Sequence, residues 1–192
     1  RQNGNSGQTY SSPGTYTVAQ TEGTHFIIDI LQSESSDPVR NIRFVMPGFL
    51  DSYQIEPFHP EFLAFLENFQ CLRFTAWMRS TGSTIMEWSE RTPVDYYSQT
   101  LPFFGNVPYR GVAYEHLTDL CNKLGKDAWV NIPHMASDDY IQQFALFLRD
   151  RLDGSLKIYL EYSNETWNTA SDYTQSGWTA QQGQAAGYPG PS

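Results

Sequence analysis

Apolar and polar positions follow two different periods along the chain after residue 41. Four short runs are apolar enough to predict β-strands, at 42–46, 71–78, 128–132 and 156–162. Other segments have apolar residues at the 3.6-residue spacing of helices that pack along one stripe, at 61–69, 114–124, 138–152 and, more weakly, 173–186. Strands that alternate with helices in this way predict four strand-helix units and a parallel α/β sheet.

The residues before this region have a different pattern. Residues 1–14 are rich in Gly, Ser, Asn and Gln, which is typical of a flexible lead-in. Within residues 15–40, two β-like runs at 15–18 and 25–30 are separated by a turn-like segment. We therefore expect a β-hairpin or the remnant of an accessory β-domain there. Residues 41–192 form the predicted α/β domain.

Each predicted strand has a polar residue among its apolar ones. Because residues two apart in a strand share a face, one face of the sheet is expected to hold Arg43, Arg73, Asn131 and Glu161. The opposite face is expected to be apolar. A doubly wound sheet is apolar on both faces, whereas a barrel interior can hold a layer of paired charges below its mouth. The alternation therefore favours a barrel.

An eight-stranded α/β barrel usually needs about 250 residues, and this chain has 192. The expected fold is therefore the first four β/α units of a (β/α)8 TIM barrel, with residues 41–192 as a truncated half. The long strand-to-helix connections, above all 79–113, are typical of loops that build sites at the carboxyl ends of parallel strands. A half barrel has two open edges, so we expect it to pair with a missing C-terminal half or with another protein chain.

The charge of the chain argues against two classes of partner. With 12 basic and 21 acidic residues, the net charge is −9, which provides no electrostatic footprint for nucleic acid or for an anionic membrane surface. No apolar run reaches the roughly 18 residues of a membrane span, so membrane insertion is not expected. The chain begins at Arg1 rather than Met, which indicates a processed or partial sequence, and we expect a secreted protein.

The two cysteines, Cys71 and Cys121, are far apart in the sequence and have no metal-ligand spacing. We interpret them as two buried thiols, with one disulfide as the alternative in a secreted protein. His59, Asp138 and Asp139 also lack metal-ligand spacing. No metal site is therefore predicted, and no cofactor is expected.

Glu165 is the candidate for chemistry. The two-residue step that places Glu161 and Ser163 on one face of the last strand would bring Glu165 to the rim, toward the barrel axis. A glycosidase acid must be protonated near neutral pH, which requires burial or a nearby negative charge to raise its pKa above about 4.3. Trp167 and the long loops can supply dry surroundings. Asn164 can hydrogen-bond a sugar hydroxyl in an oxocarbenium-like transition state.

The segment 157–168, which contains Asn164-Glu165, resembles the fourth strand of the retaining clan A glycoside hydrolases, a group that includes many cellulases and mannanases. From about residue 14 to residue 187, the chain also resembles secreted cellulase-like proteins. The matching stretches are 38–43, 46–48, 58–60, 72–74, 77–78, 88–91, 131–134 and 138–140.

This resemblance implies a TIM barrel that hydrolyses β-linked polysaccharides. By position, it implies that Glu165 is the general acid/base with Asn164 as its neighbour, that Arg73 orders the carboxylates, and that His134 contacts sugar. A retaining mechanism also needs a second carboxylate about 5 to 5.5 Å from the first. In the clan, that nucleophile is on the seventh strand, which is outside these 192 residues.

Thr166 departs from the pattern of the resembling proteins, which mostly have Val after Asn-Glu. It turns Asn164-Glu165-Thr166 into an N-glycosylation sequon. A glycan on Asn164 would block the site, so the same segment predicts either catalysis or glycosylation.

Structural roles compete with the functional ones. Glu165 can be an ion-pair partner of an arginine, and His134 can satisfy a helix start or a carbonyl. Trp77 and Trp167 are candidate sugar platforms at the mouth, although large aromatic residues at a rim also pack. The functional and the structural interpretations of these residues lead to two hypotheses about the function of the protein. One is an enzyme that acts on a polysaccharide or oligosaccharide, and the other is a non-catalytic structural or carbohydrate-binding component of an extracellular glycoprotein assembly or fibre.

Overall fold

The computed structural model describes residues 9–11, 14, 16, 29–40, 42–43, 45–96, 99 and 111–189. The chain divides into two compact units, Arg1–Asp51 and Ser52–Ser192. In the first unit, the described residues contain a turn closed by an antiparallel bridge between Glu34 and Asp37. The predicted lead-in at 1–14 and the predicted hairpin runs fall largely outside the described residues.

The second unit contains, within its described residues, four α-helices and one parallel sheet of three strands. In chain order they are α1 (Pro60–Leu66), β1 (Cys71–Arg73), α2 (Tyr114–Leu124), β2 (Asp127–Ile132), α3 (Asp138–Arg151), β3 (Ile158–Tyr162) and α4 (Thr174–Ala185). A single 3₁₀ turn spans Trp88–Glu90. The strand order is β1-β2-β3, so β2 is central and the other two strands are edges.

The prediction of half a TIM barrel is wrong. The sheet is open and has three strands, and only about 11% of the described residues have strand or bridge structure. The expected strand at 42–46 carries no strand in its described residues, where Ile42 and Met46 are 48% and 56% exposed and the Arg43 side chain donates to the carbonyl of Ile42. These residues belong to the first unit, whereas the sheet belongs to the second.

The sheet cannot close into a barrel because its strands are few and β1 is short. The predicted strand at 71–78 ends at Arg73, since the chain turns immediately afterwards. The Met78 N–H donates to the Phe74 carbonyl at 2.8 Å, which closes that turn. Barrels of this kind need about eight tilted strands to close, and a three-stranded sheet therefore has two free edges.

Local sequence explains where the helices begin and end. The His59 side chain accepts a hydrogen bond from the Glu61 N–H at the start of α1, and Pro60 occupies the first helical position. Ser137 caps α3 by accepting from the Tyr140 N–H at 3.2 Å. Gly125 ends α2 with φ of 63°, a left-handed conformation that favours glycine.

One face of the sheet packs against α2 and α3. Leu72, Ala128 and Val130 are buried on this face. The helices contribute Tyr114, Leu117, Leu120 and Cys121 from α2 and Tyr140, Phe144 and Leu148 from α3. Phe58, Phe74, Met78 and Leu152, which lie outside the helices and strands, complete the core. The core of the described residues therefore lies where α2 and α3 pack against β1 and β2.

The opposite face of the sheet holds polar residues, as the alternation predicts. The strand register pairs Arg73 with Trp129 and Asn131 with Glu161. Residues two apart share a face, so Arg73, Asn131 and Glu161 lie on the same side. The aromatic residues of this face are accessible, with Trp129 39% and Tyr159 46% exposed. On the other face, α2 and α3 cover β1 and β2 but leave Ile158 and Leu160 of β3 44% and 61% exposed.

Cys71 is half-buried and Cys121 is buried, and both are free thiols. Burial raises the pKa of Cys121 to about 12 and raises the pKa of Cys71 from its ordinary value. Both side chains are therefore thiols rather than thiolates at neutral pH.

Candidate functional site

The chain leaves β3 through a strained segment. Ser163 and Glu165 have φ of 55° and 46°, in the left-handed region that non-glycine residues rarely adopt. Ser163 is fully buried, and its N–H donates to the Ile132 carbonyl at 2.7 Å. The Asn131 side chain donates to the Ser163 carbonyl. Residues of β2 therefore hold the strained tip of β3 in place.

Asn164 lies between the two left-handed residues and is held on three sides. Its Oδ1 accepts from the Arg73 guanidinium at 2.9 Å, and its Nδ2 donates to Thr81 Oγ1 at 2.8 Å. Its backbone carbonyl accepts from the Gln175 side chain. Asn164 is only 6% exposed, so these bonds are largely shielded from water.

Gln175 connects α4 with two loops. Its side chain is fully buried and accepts from the Gly82 N–H at 3.0 Å while it donates to the Asn164 carbonyl. Gly82 has φ of +60°, and a Cβ placed there would be 2.8 Å from the carbonyl oxygen of Asp172. Only a glycine allows the loop after β1 and the loop after β3 to approach this closely.

Glu161 forms an ion pair with Arg73 on the polar face of the sheet. The Arg73 guanidinium contacts both carboxylate oxygens, at 2.8 and 2.9 Å. Trp129 Nε1 donates to Oε2 at 2.8 Å, and the Arg73 guanidinium lies 5.0 Å from the centre of the Trp129 ring. Since both oxygens of Glu161 are engaged, this residue positions Arg73, which in turn holds Asn164.

Glu165 is half-buried at the end of this arrangement. Its Oε2 accepts from Asn168 Nδ2 at 2.9 Å, and its carbonyl accepts from the Asn168 N–H at 2.9 Å. These two bonds form a turn that limits rotation of the carboxyl group. A partly accessible carboxyl with a fixed orientation can exchange a proton with a bound molecule.

The two predicted tryptophan platforms differ in their surroundings. Trp167 is 76% exposed beside Glu165 and is available for ring stacking. Trp77 packs against the core instead, with its ring 6.2 Å from Phe62 and 5.5 Å from Phe74. The Trp77 carbonyl also accepts from the Val112 N–H at 2.7 Å. Trp77 therefore supports the loop after β1.

His134 follows β2 and is buried, with 5% of its surface exposed. Its carbonyl accepts from the Tyr162 hydroxyl at 2.9 Å, and its ring lies edge-on to Trp178, with the ring centres 6.1 Å apart. Burial lowers the pKa of the His134 imidazole. Its Nδ1 is a buried nitrogen without a hydrogen-bond partner among the described residues. The neutral imidazole is therefore the favoured form in the folded protein.

The geometry of Asn164 is unsuited to a glycan acceptor. N-glycosylation requires the side-chain Nδ2, and this atom donates to Thr81 inside a site that is 6% exposed. A glycan on Nδ2 would need the loop after β1 to move away. A chain glycosylated at Asn164 is therefore incompatible with this arrangement of the loops.

Several site residues were missed by sequence reasoning. Arg73, Asn164 and Glu165 were predicted, and the structure brings Arg73 and Asn164 into direct contact. Thr81 and Gln175, which complete the site, belong to no motif, and they lie 83 and 11 residues from Asn164 in the sequence. A polar residue such as Gln175, in a helix with little amphipathic pattern, has no sequence signal for burial. Asn131 is the exception, because strand alternation placed it on the polar face.

The described residues contain no helix that is long and apolar enough to cross a membrane. In the same part of the chain, no group of three or more His, Cys, Asp or Glu side chains is arranged to hold a metal ion. Comparison with known proteins gives no relative: no protein-family model, curated protein or solved structure matches the chain. The function has to be inferred from the site.

Proposed function

We propose that the end of β3 is a carbohydrate-processing site in which Glu165 acts as general acid/base in the hydrolysis of a β-linked polysaccharide or oligosaccharide. The observation that carries this proposal is the strained tip formed by Ser163, Asn164 and Glu165. A left-handed conformation at a non-glycine residue costs roughly 1–3 kcal/mol, and such strain is concentrated at functional sites. The surrounding hydrogen bonds hold the strained segment in place.

Glu165 would act in two steps. As an acid, it protonates the glycosidic oxygen of the leaving sugar, and as a carboxylate it then removes a proton from the attacking water. Asn168 orients the carboxyl group for both steps. Asn164 has a positioning role, because both polar atoms of its side chain already bond to Arg73 and Thr81.

The second carboxylate of a retaining mechanism has no assigned residue in the described site. Glu161 is the nearest carboxylate in the sequence, and Arg73 and Trp129 engage both its oxygens. We therefore assign the nucleophile to polypeptide outside these 192 residues, either a continuation of the chain or a partner protein. A protein that acts on polysaccharides is expected outside the cell, and secretion is therefore part of this proposal.

Exposed aromatic rings support a carbohydrate as the substrate class. Trp167 is two residues after Glu165 and is 76% exposed. Aromatic rings of this kind present an apolar face that can stack on the C–H face of a sugar ring. The net charge of −9 also favours a neutral polysaccharide over a polyanionic one.

The test is Glu165→Gln, assayed in the complete natural polypeptide on aryl β-glycosides and on β-linked polysaccharides. Loss of a general acid/base typically lowers kcat by about 10²–10⁴-fold, and we expect a loss in that range on polysaccharides. Glu67→Gln is the matched control, because Glu67 is exposed just after α1. Full activity of the Glu165→Gln protein would show that Glu165 is not the acid/base.

A second candidate function is carbohydrate binding without hydrolysis. It is favoured by the open polar face of the sheet, where Trp129 and Tyr159 are accessible and their ring centres lie 6.3 Å apart. In this case the complete polypeptide would bind insoluble polysaccharide but release no sugar. Tyr159→Ala would then weaken the binding, and Glu165→Gln would leave it unchanged.

A further inference from the structure

A cavity of about 460 Å³ lies beside the strained tip, between the loop after β1 and the loop that leads into α4. Its lining residues are Arg79, Thr81, Gly82, Ser171, Asp172, Tyr173 and Thr174. Small-molecule sites usually have volumes of about 300–1,000 Å³. This lining differs from the usual apolar one, because six of its seven residues have polar side chains.

The cavity is connected to Asn164, the residue that precedes Glu165. Thr81 lines the cavity and accepts the hydrogen bond from Asn164 Nδ2. Gly82 lines it as well, and its N–H is held by the buried Gln175. The contact between Gly82 and the Asp172 carbonyl joins the two loops that form the walls. A molecule in this cavity would therefore contact the loop that positions Asn164.

The charges of the cavity define the ligand that fits it. Arg79 has an exposed side chain, with its backbone in the left-handed region at φ of 52°. Among the described residues, neither Arg79 nor Asp172 belongs to an ion pair, so their charged groups are more than 4.0 Å apart. A ligand with a single charge would be attracted by one of these two groups and repelled by the other, so the pair favours neither sign of charge. A neutral ligand with hydroxyl groups can satisfy both, because a hydroxyl donates to a carboxylate and accepts from a guanidinium.

We propose that this cavity is a subsite for one neutral sugar unit, with Arg79 of the loop after β1 and Asp172 of the loop after β3 binding its hydroxyl groups and the half-buried Tyr173 contributing an aromatic ring. This inference rests on the proposed function, because it takes a carbohydrate as the ligand. It adds that the sugar is uncharged and that Arg79 and Asp172 select it. Thr81 of the subsite bonds to Asn164, the residue before the proposed acid/base, so the bound sugar unit would belong to the same substrate chain.

The experiment measures binding of cellobiose, mannobiose, glucuronic acid and glucosamine to the complete polypeptide by calorimetry and saturation-transfer NMR. We expect the neutral disaccharides to bind, and Arg79→Ala and Asp172→Asn each to weaken that binding at least tenfold. Asp172→Asn should improve binding of glucuronic acid, and Arg79→Ala should improve binding of glucosamine, because each change removes one repulsion. Arg149→Ala and Asp150→Asn are the matched controls, since this pair lies on the surface of α3.

Two results would overturn the subsite: no binding of either neutral disaccharide, or binding that neither Arg79→Ala nor Asp172→Asn weakens. Measurements of sugar binding and hydrolysis with the Glu165→Gln protein distinguish failure of the subsite from failure of the proposed function. If its sugar binding is normal and hydrolysis does not depend on Glu165, the subsite stands and the acid/base assignment fails. If hydrolysis depends on Glu165 but the cavity variants bind sugar normally, only the subsite fails.

Discussion

Single residues with special backbone conformations determine whether the site can form. Gly82 has φ of +60°, and an added Cβ would be 2.8 Å from a backbone carbonyl, which cannot move away as a flexible side chain can. We predict that Gly82→Ala lowers the free energy of unfolding by at least about 1 kcal/mol, because a residue with a Cβ is strained in the left-handed conformation. Urea denaturation followed by tryptophan fluorescence measures this change.

Gly154→Ala is the matched control for Gly82→Ala. Gly154 lies between α3 and β3, and an added Cβ there would meet nothing within 4 Å. We expect this variant to be at least as stable as the natural protein. Equal stability of the two alanine variants would contradict the close approach of the loops at Gly82.

His134 connects the stability of the site to pH. Its pKa is lowered by burial from an ordinary value of 6.5, so below about pH 6.5 the unfolded chain binds a proton that the folded protein does not. The contribution of neutral His134 is therefore complete above this pH and is lost as the pH falls toward the lowered pKa. We predict that the free energy of unfolding decreases as the pH is lowered from 8 to 5. We expect this decrease to be smaller in His134→Gln.

The measurement for His134 is a series of urea denaturation curves across this pH range. Other titrating groups contribute equally to both proteins, so the difference between the natural protein and the variant isolates His134. A difference that stays constant with pH would show that His134 does not titrate differently on folding.

At the scale of elements, α4 is the helix with the weakest intrinsic support. It contains two glycines, has no side-chain cap at its start, and buries only Gln175 among its residues. An added Cβ at Gly183 would meet nothing within 4 Å. We predict that Gly183→Ala raises the free energy of unfolding by about 0.5–1 kcal/mol, because alanine loses less backbone entropy in a helix.

Gly187→Ala is the comparison for this helix. Gly187 follows α4 with φ of 86°, where alanine is strained, so we expect this variant to be less stable. Circular dichroism during thermal unfolding measures both variants. A Gly183→Ala protein that melts below the natural protein would show that α4 does not have the described helical conformation at that position.

Most elements of the second unit were predictable from periodicity. The helix predicted at 114–124 matches α2, and the helix predicted at 138–152 ends one residue later than α3. Their apolar stripes face the core, and an apolar stripe of this kind produces the 3.6-residue periodicity on which the prediction was based. The strand at 71–78 was predicted five residues too long, because Phe74 and Met78 are apolar and buried in a turn rather than in a strand.

At the scale of the whole molecule, the chain forms two units rather than one barrel. We predict that residues 52–192 fold without the first unit, because the hydrophobic core is formed by residues of the second unit. All five tryptophans, at positions 77, 88, 129, 167 and 178, are in this part of the chain. Urea denaturation followed by tryptophan fluorescence should give one cooperative transition, with a midpoint close to that of the full chain. A truncated protein without a cooperative transition would contradict this.

Some residues of the candidate site were predictable from local sequence pattern, and others were brought to the site by contacts between distant segments. Strand alternation was sufficient to place Arg73, Asn131 and Glu161 on one face, because the two-residue period is a local property of an extended backbone. Thr81 and Gln175 became part of the site only through folding, since they bond to Asn164 across 83 and 11 residues of sequence.

The sequence by itself determined the helices, the strand faces and the polar residues at the end of β3, because these follow from short-range periodicity. The tertiary structure decided the number of strands, the open sheet and the positions of the loops. Strand number depends on whether a segment such as 42–46 finds a partner edge, which is a long-range event that no local pattern contains. The loops meet because Gly82 permits close approach and Gln175 binds both of them, and residues of both loops line the cavity.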